Sequence, residues 1–249
     1  FSELSYIQFT LAGAGSFTTT TTNEPVSFIL MPGGHGLTMT TSRGPEPGFD
    51  FTVEADGTLQ FDPSFDTLID GRGTRDMVLR GTQVEIDVSE LSYNKLDLIG
   101  AGTLTGATGP VPLMLMPGNH RLRLAIGGDP EPAFDFTVEA NGTLQFDPSL
   151  DSLIDGRGTR DMVLHGTQVE IDVSELSYSR FNLAGITSFT ATNEPMPFVL
   201  MPGAHGLIMA TSRGPEPAFD FTVEANGTLQ FDPSLDSLID GRGTRDMVL

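Results

Sequence analysis

Cysteine and tryptophan are both missing from the 249 residues, and only three tyrosines are present. Without cysteine, neither disulfides nor thiolate sites can hold or serve this fold, and redox chemistry leaves the compartment open. No run approaches the roughly 18 consecutive apolar residues of a membrane helix, so helical membrane insertion is not expected. No initiator methionine or apolar leader precedes Phe1, and the chain reads as a processed or excised soluble segment. Positive charge is scarce, with 13 Lys plus Arg against 33 Asp plus Glu and a formal charge of -20. That sign repels nucleic acid phosphates and anionic lipid, so no nucleic acid partner is expected. Solubility is the first use of such an acidic surface, and cation binding the second. A 3.6-residue apolar stripe is lacking too, whereas 29 Gly, 17 Pro and abundant Thr suit short strands joined by tight turns.

What is there in quantity is repetition. The stretch FDFTVEANGTLQFDPSLDSLIDGRGTRDMVL fills 134–164 and recurs unchanged at 219–249. It appears again at 49–79, where Asp56, Phe65 and Thr67 replace the equivalents of Asn141, Leu150 and Ser152. A period of 85 residues makes the chain three copies of one unit, divided here as 1–85, 86–170 and 171–249. Each unit carries SELSY (2–6, 89–93, 174–178), then alternating segments, an apolar run such as 111–116, a Pro-Gly turn, a histidine-led strand and a PEP connector. The apolar run bounded by a turn signal reads as a strand buried on both faces. Asn-Gly between FDFTVEA and GTLQFDP predicts a hairpin with a two-residue type I′ turn. TQVEIDV, at 82–88 and 167–173, reads as one more alternating strand.

The fold class is therefore all-β in three tandem 85-residue repeats. Faint likeness between the halves of a unit (96–105 beside 136–145) suggests four-stranded modules of about 40 to 45 residues. Six of these would close as a six-bladed β-propeller-like ring with pseudo-threefold symmetry, all 249 residues forming one repeat domain. Three tandem β-sandwich domains are the alternative.

Three constellations could carry function. His35, His120 and His205 follow the Pro-Gly turn of each unit. In a closed ring they could converge on zinc, which some enzymes bind through three histidines, and otherwise they are surface or hydrogen-bonding residues. Tyr6, Tyr93 and Tyr178 hold one equivalent position, suited to stacking on a sugar or to a core ring with a bonded hydroxyl. The Asp-rich loop centred on Asp70, Asp155 and Asp240 could offer oxygen ligands to calcium, although its arginines can neutralise it locally. Asn141-Gly-Thr and Asn226-Gly-Thr read as sequons and equally as hairpin chemistry. No Ser/His/Asp or Cys/His set stands out from the repeat background. The expectation is a non-enzymatic, multivalent binding or structural protein of the cell surface or extracellular space. Its partner would be a glycan or repetitive polymer, met at the tips 17–27, 104–112 and 189–197, and it would need no cofactor. A three-histidine metalloenzyme is the alternative.

Overall fold

The computed structural model describes residues 4–6, 8–18, 25–39, 47–93, 95–105, 109–124, 132–190, 192–211 and 214–249. Among them there are strands and three short 3-10 turns, with no α-helix. In the first third, β1 (Gln8–Leu11), β2 (Gly15–Thr18), β3 (Gly33–Met39), β4 (Gly48–Val53) and β5 (Leu59–Phe61) form a sheet in the order β2-β1-β3-β4-β5. There, β6 (Ile69–Asp70) and β7 (Val78–Leu79) pair only with each other.

The middle third has β8 (Thr82–Asp87), β9 (Lys95–Leu98), β10 (Gly102–Thr105), β11 (Val111–Leu115), β12 (Gly118–Leu124), β13 (Ala133–Val138), β14 (Leu144–Phe146), β15 (Ile154–Asp155) and β16 (Asp161–Leu164). They form two sheets, β10-β9-β12-β13-β14 and β11-β8-β16-β15. The last third has β17 (Thr167–Asp172), β18 (Arg180–Leu183), β19 (Thr187–Phe189), β20 (Met196–Leu200), β21 (Gly203–Thr211), β22 (Gly214–Val223), β23 (Leu229–Phe231) and β24 (Asp246–Val248); it repeats the first order as β19-β18-β21-β22-β23 and the second as β20-β17-β24, with an isolated Asp240–Val248 bridge in place of the β15 pairing.

Strands alternate in burial, as in Val84 and Ile86 inward with Gln83 outward, so each sheet turns one apolar face to the interior. No closed barrel or propeller occurs among the described residues, and the pairing explains why. A blade boundary in mid-unit would separate β12 from β13, yet these strands form a six-residue antiparallel register from Gly118↔Val138 to Arg123↔Ala133. The strands on either side of the connector pair with each other instead of belonging to two modules, and Leu124 N–H donates to the Pro132 carbonyl at 2.8 Å. The histidine-led strand and the phenylalanine-led strand are both amphipathic, and pairing them satisfies both backbones at once.

Two local expectations also change. Asn141-Gly142 does turn a hairpin, but the loop is longer than two residues: Gly142 N–H donates to Glu139 O and Glu139 N–H to Thr143 O, both at 2.8 Å, with Gly142 at φ 87°. Asn141 Oδ1 accepts from the Thr143 backbone and hydroxyl, which fixes the register of that loop. The run at 111–116 is not buried on both faces. Leu113 and Leu115 point inward, while Val111 and Met114 are half-buried and Pro112 is exposed, because only one face of this sheet meets the core.

The first third differs in one respect from the other two. Residues 26–30 align with β11 and β20, but they form no strand. The partner of β11 is β8 and that of β20 is β17, and TQVEIDV occurs in this sequence only at those two places. Ile29 and Met31 are consequently 104% and 78% exposed, against 0% for Met116 and 1% for Met201. Amide hydrogen exchange is expected to be fast at 26–30 and at least about 10²-fold slower at 113–115 and 198–200, where a ladder must open first. Equal protection of the three segments would contradict this.

Candidate functional site

The tyrosines and histidines meet, though not as ligands for something else. After β8 the chain turns sharply, with Ser89 N–H donating to Asp87 Oδ1 (2.9 Å) and Leu91 N–H to Val88 O (3.0 Å). The rest of SELSY then lies along the edge of the next unit. Ser92 N–H donates to Val199 O at 3.0 Å, and Val199 N–H returns to Ser92 Oγ at 2.8 Å. One unit earlier, Ser5 and Met114 make the same exchange at 3.0 and 2.9 Å.

Each tyrosine then reaches the Pro-Gly turn of that next unit. Met116 N–H donates to the Tyr6 hydroxyl at 3.1 Å, and Met201 N–H to the Tyr93 hydroxyl at 3.0 Å. The phenol rings cover His120 and His205 at centroid distances of 6.1 and 6.2 Å. Below them the imidazoles stack on Phe136 and Phe221 at 5.3 and 5.4 Å. The result is two joints of one design, Tyr6–Met116–His120 and Tyr93–Met201–His205. A second contact seals each: a side chain on Gly118 (φ 132°) would meet Pro47 at 3.0 Å, and one on Gly203 (φ 137°) would meet Pro132 at 2.8 Å. Glycine is needed there both for the positive φ and for the close approach.

Electrostatics in the joints favours neutral groups. His120 and His205 are fully buried, and each Nε2 sits 3.0 Å from the carbonyl of Met116 or Met201. A carbonyl only accepts, so Nε2 carries the proton and donates, leaving Nδ1 buried with no partner. Burial pushes both imidazoles down to about 4, against the smaller opposing effect of the carbonyl. Burial likewise pushes the Tyr6 and Tyr93 hydroxyls well above the ordinary phenol value, partly offset by the methionine N–H.

The third pair is not formed. Tyr178 is half-buried edge-on against Phe181, 6.3 Å between centroids, and His35 is half-buried on Phe51 at 5.6 Å. Around His35 a surface groove of about 650 Å³ is lined by Asp50, Phe51, Gln60 and Asp62. The sequence marked these six residues as possible ligand contacts. What it did not show is that tyrosine and histidine of successive units belong together, and the one available signal was that both recur with the same 85-residue period.

The Asp-rich loop is held by the protein's own cations. Asp147 caps a 3-10 turn by accepting from Ser149 N–H, and Asp62 and Asp232 do the same. Arg72, Arg157 and Arg242 bond Asp66, Asp151 and Asp236 at 2.8 Å and lie over Phe61, Phe146 and Phe231 at 4.8, 4.6 and 4.8 Å. Asp70 pairs with Arg80 at 2.6 Å. Asp155 bonds His165, whose other nitrogen reaches Glu90 of the SELSY segment in the same unit at 2.9 Å. Those two carboxylates hold the His165 imidazole above its ordinary value. Asp240 is placed by two backbone bonds with Val248. Among the described residues no group of three or more histidines and carboxylates is spaced to hold a metal ion.

Neither family models nor curated proteins nor solved structures match this chain. The site must therefore be argued from its own chemistry. Millimolar calcium is expected to leave the melting temperature unchanged within about 1 °C, because only an ion that prefers the native state raises it. A larger rise that disappears when Asp70, Asp155 and Asp240 are all changed to Asn would show that the loop binds the ion.

Proposed function

We propose that this chain is a non-enzymatic structural and multivalent binding protein of the cell surface or extracellular space, built as a linear array of two-sheet β-sandwich units. The observation that carries the reading is the identity of the two joints: the same serine, tyrosine, methionine and histidine atoms meet at both, within about 0.1 Å in each hydrogen bond. A joint with buried rings and reciprocal hydrogen bonds, one through the serine backbone and one through its hydroxyl, fixes the angle between neighbours, which a flexible linker would not. Two further observations support it. The accessible surface is 12449 Å², against about 11,000 Å² for a compact chain of this size. His120 and His205 are buried in the joints, each bonded to a methionine carbonyl, and only His35 borders an open groove, which argues against the three-histidine enzyme reading.

Recognition falls to exposed turns on such a scaffold. The tips 17–27, 104–112 and 189–197 lie partly outside the described residues, but beside the last a surface groove of about 390 Å³ is lined by Arg180, Ser188, Phe189, Thr190, Thr192 and Met196. A polar rim around one aromatic ring suits a glycan or another hydroxyl-rich polymer, and repeated weak sites gain avidity on a repetitive surface, by up to about 10² to 10⁴. Small-angle scattering tests the array. A compact globule of this length has a radius of gyration of about 18 Å. The array predicts a clearly larger value with a rod-like cross-section, and a globular profile overturns it. A glycan array with the same protein then tests the partner.

A further inference from the structure

The chain leaves one sheet for the next at two places of one design, between β7 and β8 and between β16 and β17. A left-handed glycine stands at each, Gly81 with φ 68° and Gly166 with φ 64°. Leu4 and Leu91 of SELSY press on these glycines: a side chain on Gly81 would meet Leu4 at 2.5 Å and the Leu115 carbonyl at 3.0 Å, and one on Gly166 would meet Leu91 at 2.7 Å and the Leu200 carbonyl at 3.0 Å. Only glycine fits there. The residue just before the glycine is where the two crossings differ, Arg80 at the first and His165 at the second.

Arg80 bonds Asp70, and Glu3, the equivalent of Glu90, lies outside the described residues. At the second crossing His165 Nδ1 lies 2.9 Å from Glu90 Oε2 and Nε2 lies 3.0 Å from Asp155 Oδ2. Carboxylate oxygens only accept, so both ring nitrogens must donate, which the charged imidazolium alone can do. The backbone is held as well, with His165 N–H on Leu153 O at 2.8 Å. Glu90 stands two residues before Ser92, whose N–H and hydroxyl bond Val199 on β20, and His165 stands two residues before β17, the partner of β20. One imidazole thus ties together the two segments that reach that sheet.

We propose that Glu90, His165 and Asp155 form a protonation-dependent clamp on the second crossing alone, closed while the imidazole is charged and slack once it is neutral. A neutral ring has one N–H, so one carboxylate loses its donor and two negative groups face an uncharged ring. Arginine keeps its charge throughout, and the first crossing stays tied. Among the described residues Glu90 and Asp155 are the charged groups that bear on the ring, and Leu91 on the adjacent Gly166 is apolar. Both carboxylates hold the imidazole above its ordinary 6.5, so the clamp is complete below that pH and slackens as the pH rises past the folded value. That is the opposite side of neutrality from the buried His120 and His205.

Amide hydrogen exchange on the 1–249 chain between pH 6 and 9, read as protection factors so that the intrinsic effect of pH is removed, tests the clamp against its own control. The ion pairs are half-exposed, so protection at Ser92 and Val199 is expected to fall about three- to tenfold while that at Ser5 and Met114 holds. High salt is expected to shrink the fall. His165→Arg is expected to keep the protection at pH 9, and His165→Gln to lack it at both ends of the range. By NMR, Glu90→Gln is expected to bring the His165 ring titration down toward its ordinary value. A flat wild-type response at Ser92 and Val199 leaves the array standing, since scattering tests that separately, and overturns the clamp. So does a fall that persists in His165→Arg, or a ring titration that Glu90→Gln does not move.

Discussion

Lowering the pH from 7 to 4 is expected to cost this protein roughly 3 kcal/mol for each of His120 and His205. Both imidazoles titrate near 6.5 in an unfolded chain, and burial lowers them to about 4 in the folded one. Between those values the unfolded state binds more protons than the native state. The stabilising contribution is therefore complete above pH 6.5 and is lost progressively as the pH falls through 4. At about 1.4 kcal/mol per pKa unit, each histidine accounts for the figure given. Protonation would place a charge on a ring whose Nδ1 has no partner and whose neighbours are tyrosine and phenylalanine. The acidic caps Asp62, Asp147 and Asp232, held low chiefly by serine N–H donors, weaken the fold in the same direction but only below about pH 4. His165 acts oppositely. Its raised value means its contribution is complete below 6.5 and fades as the pH rises past the folded value. Urea midpoints followed by tyrosine emission would measure this, undisturbed by tryptophan. A midpoint unchanged between pH 7 and 4.5 would show that the imidazoles are solvated and the joints open.

Tyr93→Ala is expected to destabilise the junction between the second and third units by about 3 to 5 kcal/mol. Truncating a buried aromatic leaves a cavity that a close-packed joint refills only in part. Met201 N–H would lose its acceptor, and the buried His205 ring would be exposed to the gap. Tyr93→Phe separates these contributions. It retains the ring, and losing one acceptor for a buried N–H is expected to cost about 1 to 3 kcal/mol. Uncoupling should be visible as well as destabilising: one cooperative unfolding transition would split into two, with the third unit melting apart from the first two. A Tyr93→Ala protein that unfolds in one step at the wild-type temperature would mean that the joint is a lattice of weak contacts that no single ring controls.

Much of the local structure was readable from residue order alone. The 85-residue period, the all-β class, the alternation in TQVEIDV and the hairpin at Asn141-Gly142 follow from chain chemistry that acts over a few residues. So does the self-neutralised Asp loop, because Arg157 lies six residues from Asp151 and needs no long-range fold to reach it. The half-unit likeness misled for a related reason. Segments 96–105 and 136–145 share a strand-turn-strand pattern that any hairpin shows, and pattern cannot tell which neighbour a strand will choose.

Strand partnership was settled by tertiary structure. Strands such as β8, β12 and β17 are amphipathic, so burial satisfies many pairings equally. The choice between blades and larger sheets fell to the register of β12 on β13 and to the insertion of β8 between β11 and β16, parallel to the latter. The role of the tyrosines and histidines lay equally beyond the sequence. Tyr6 and His120 stand 114 residues apart, and Tyr93 and His205 stand 112 apart. Only the docking of SELSY on the following unit brings them to one place. Sequence by itself determined which residues recur and what each can bond. The fold determined that a tyrosine from one unit completes the socket of the next, since packing and hydrogen bonding act through space and residue order constrains them only within a turn or a hairpin.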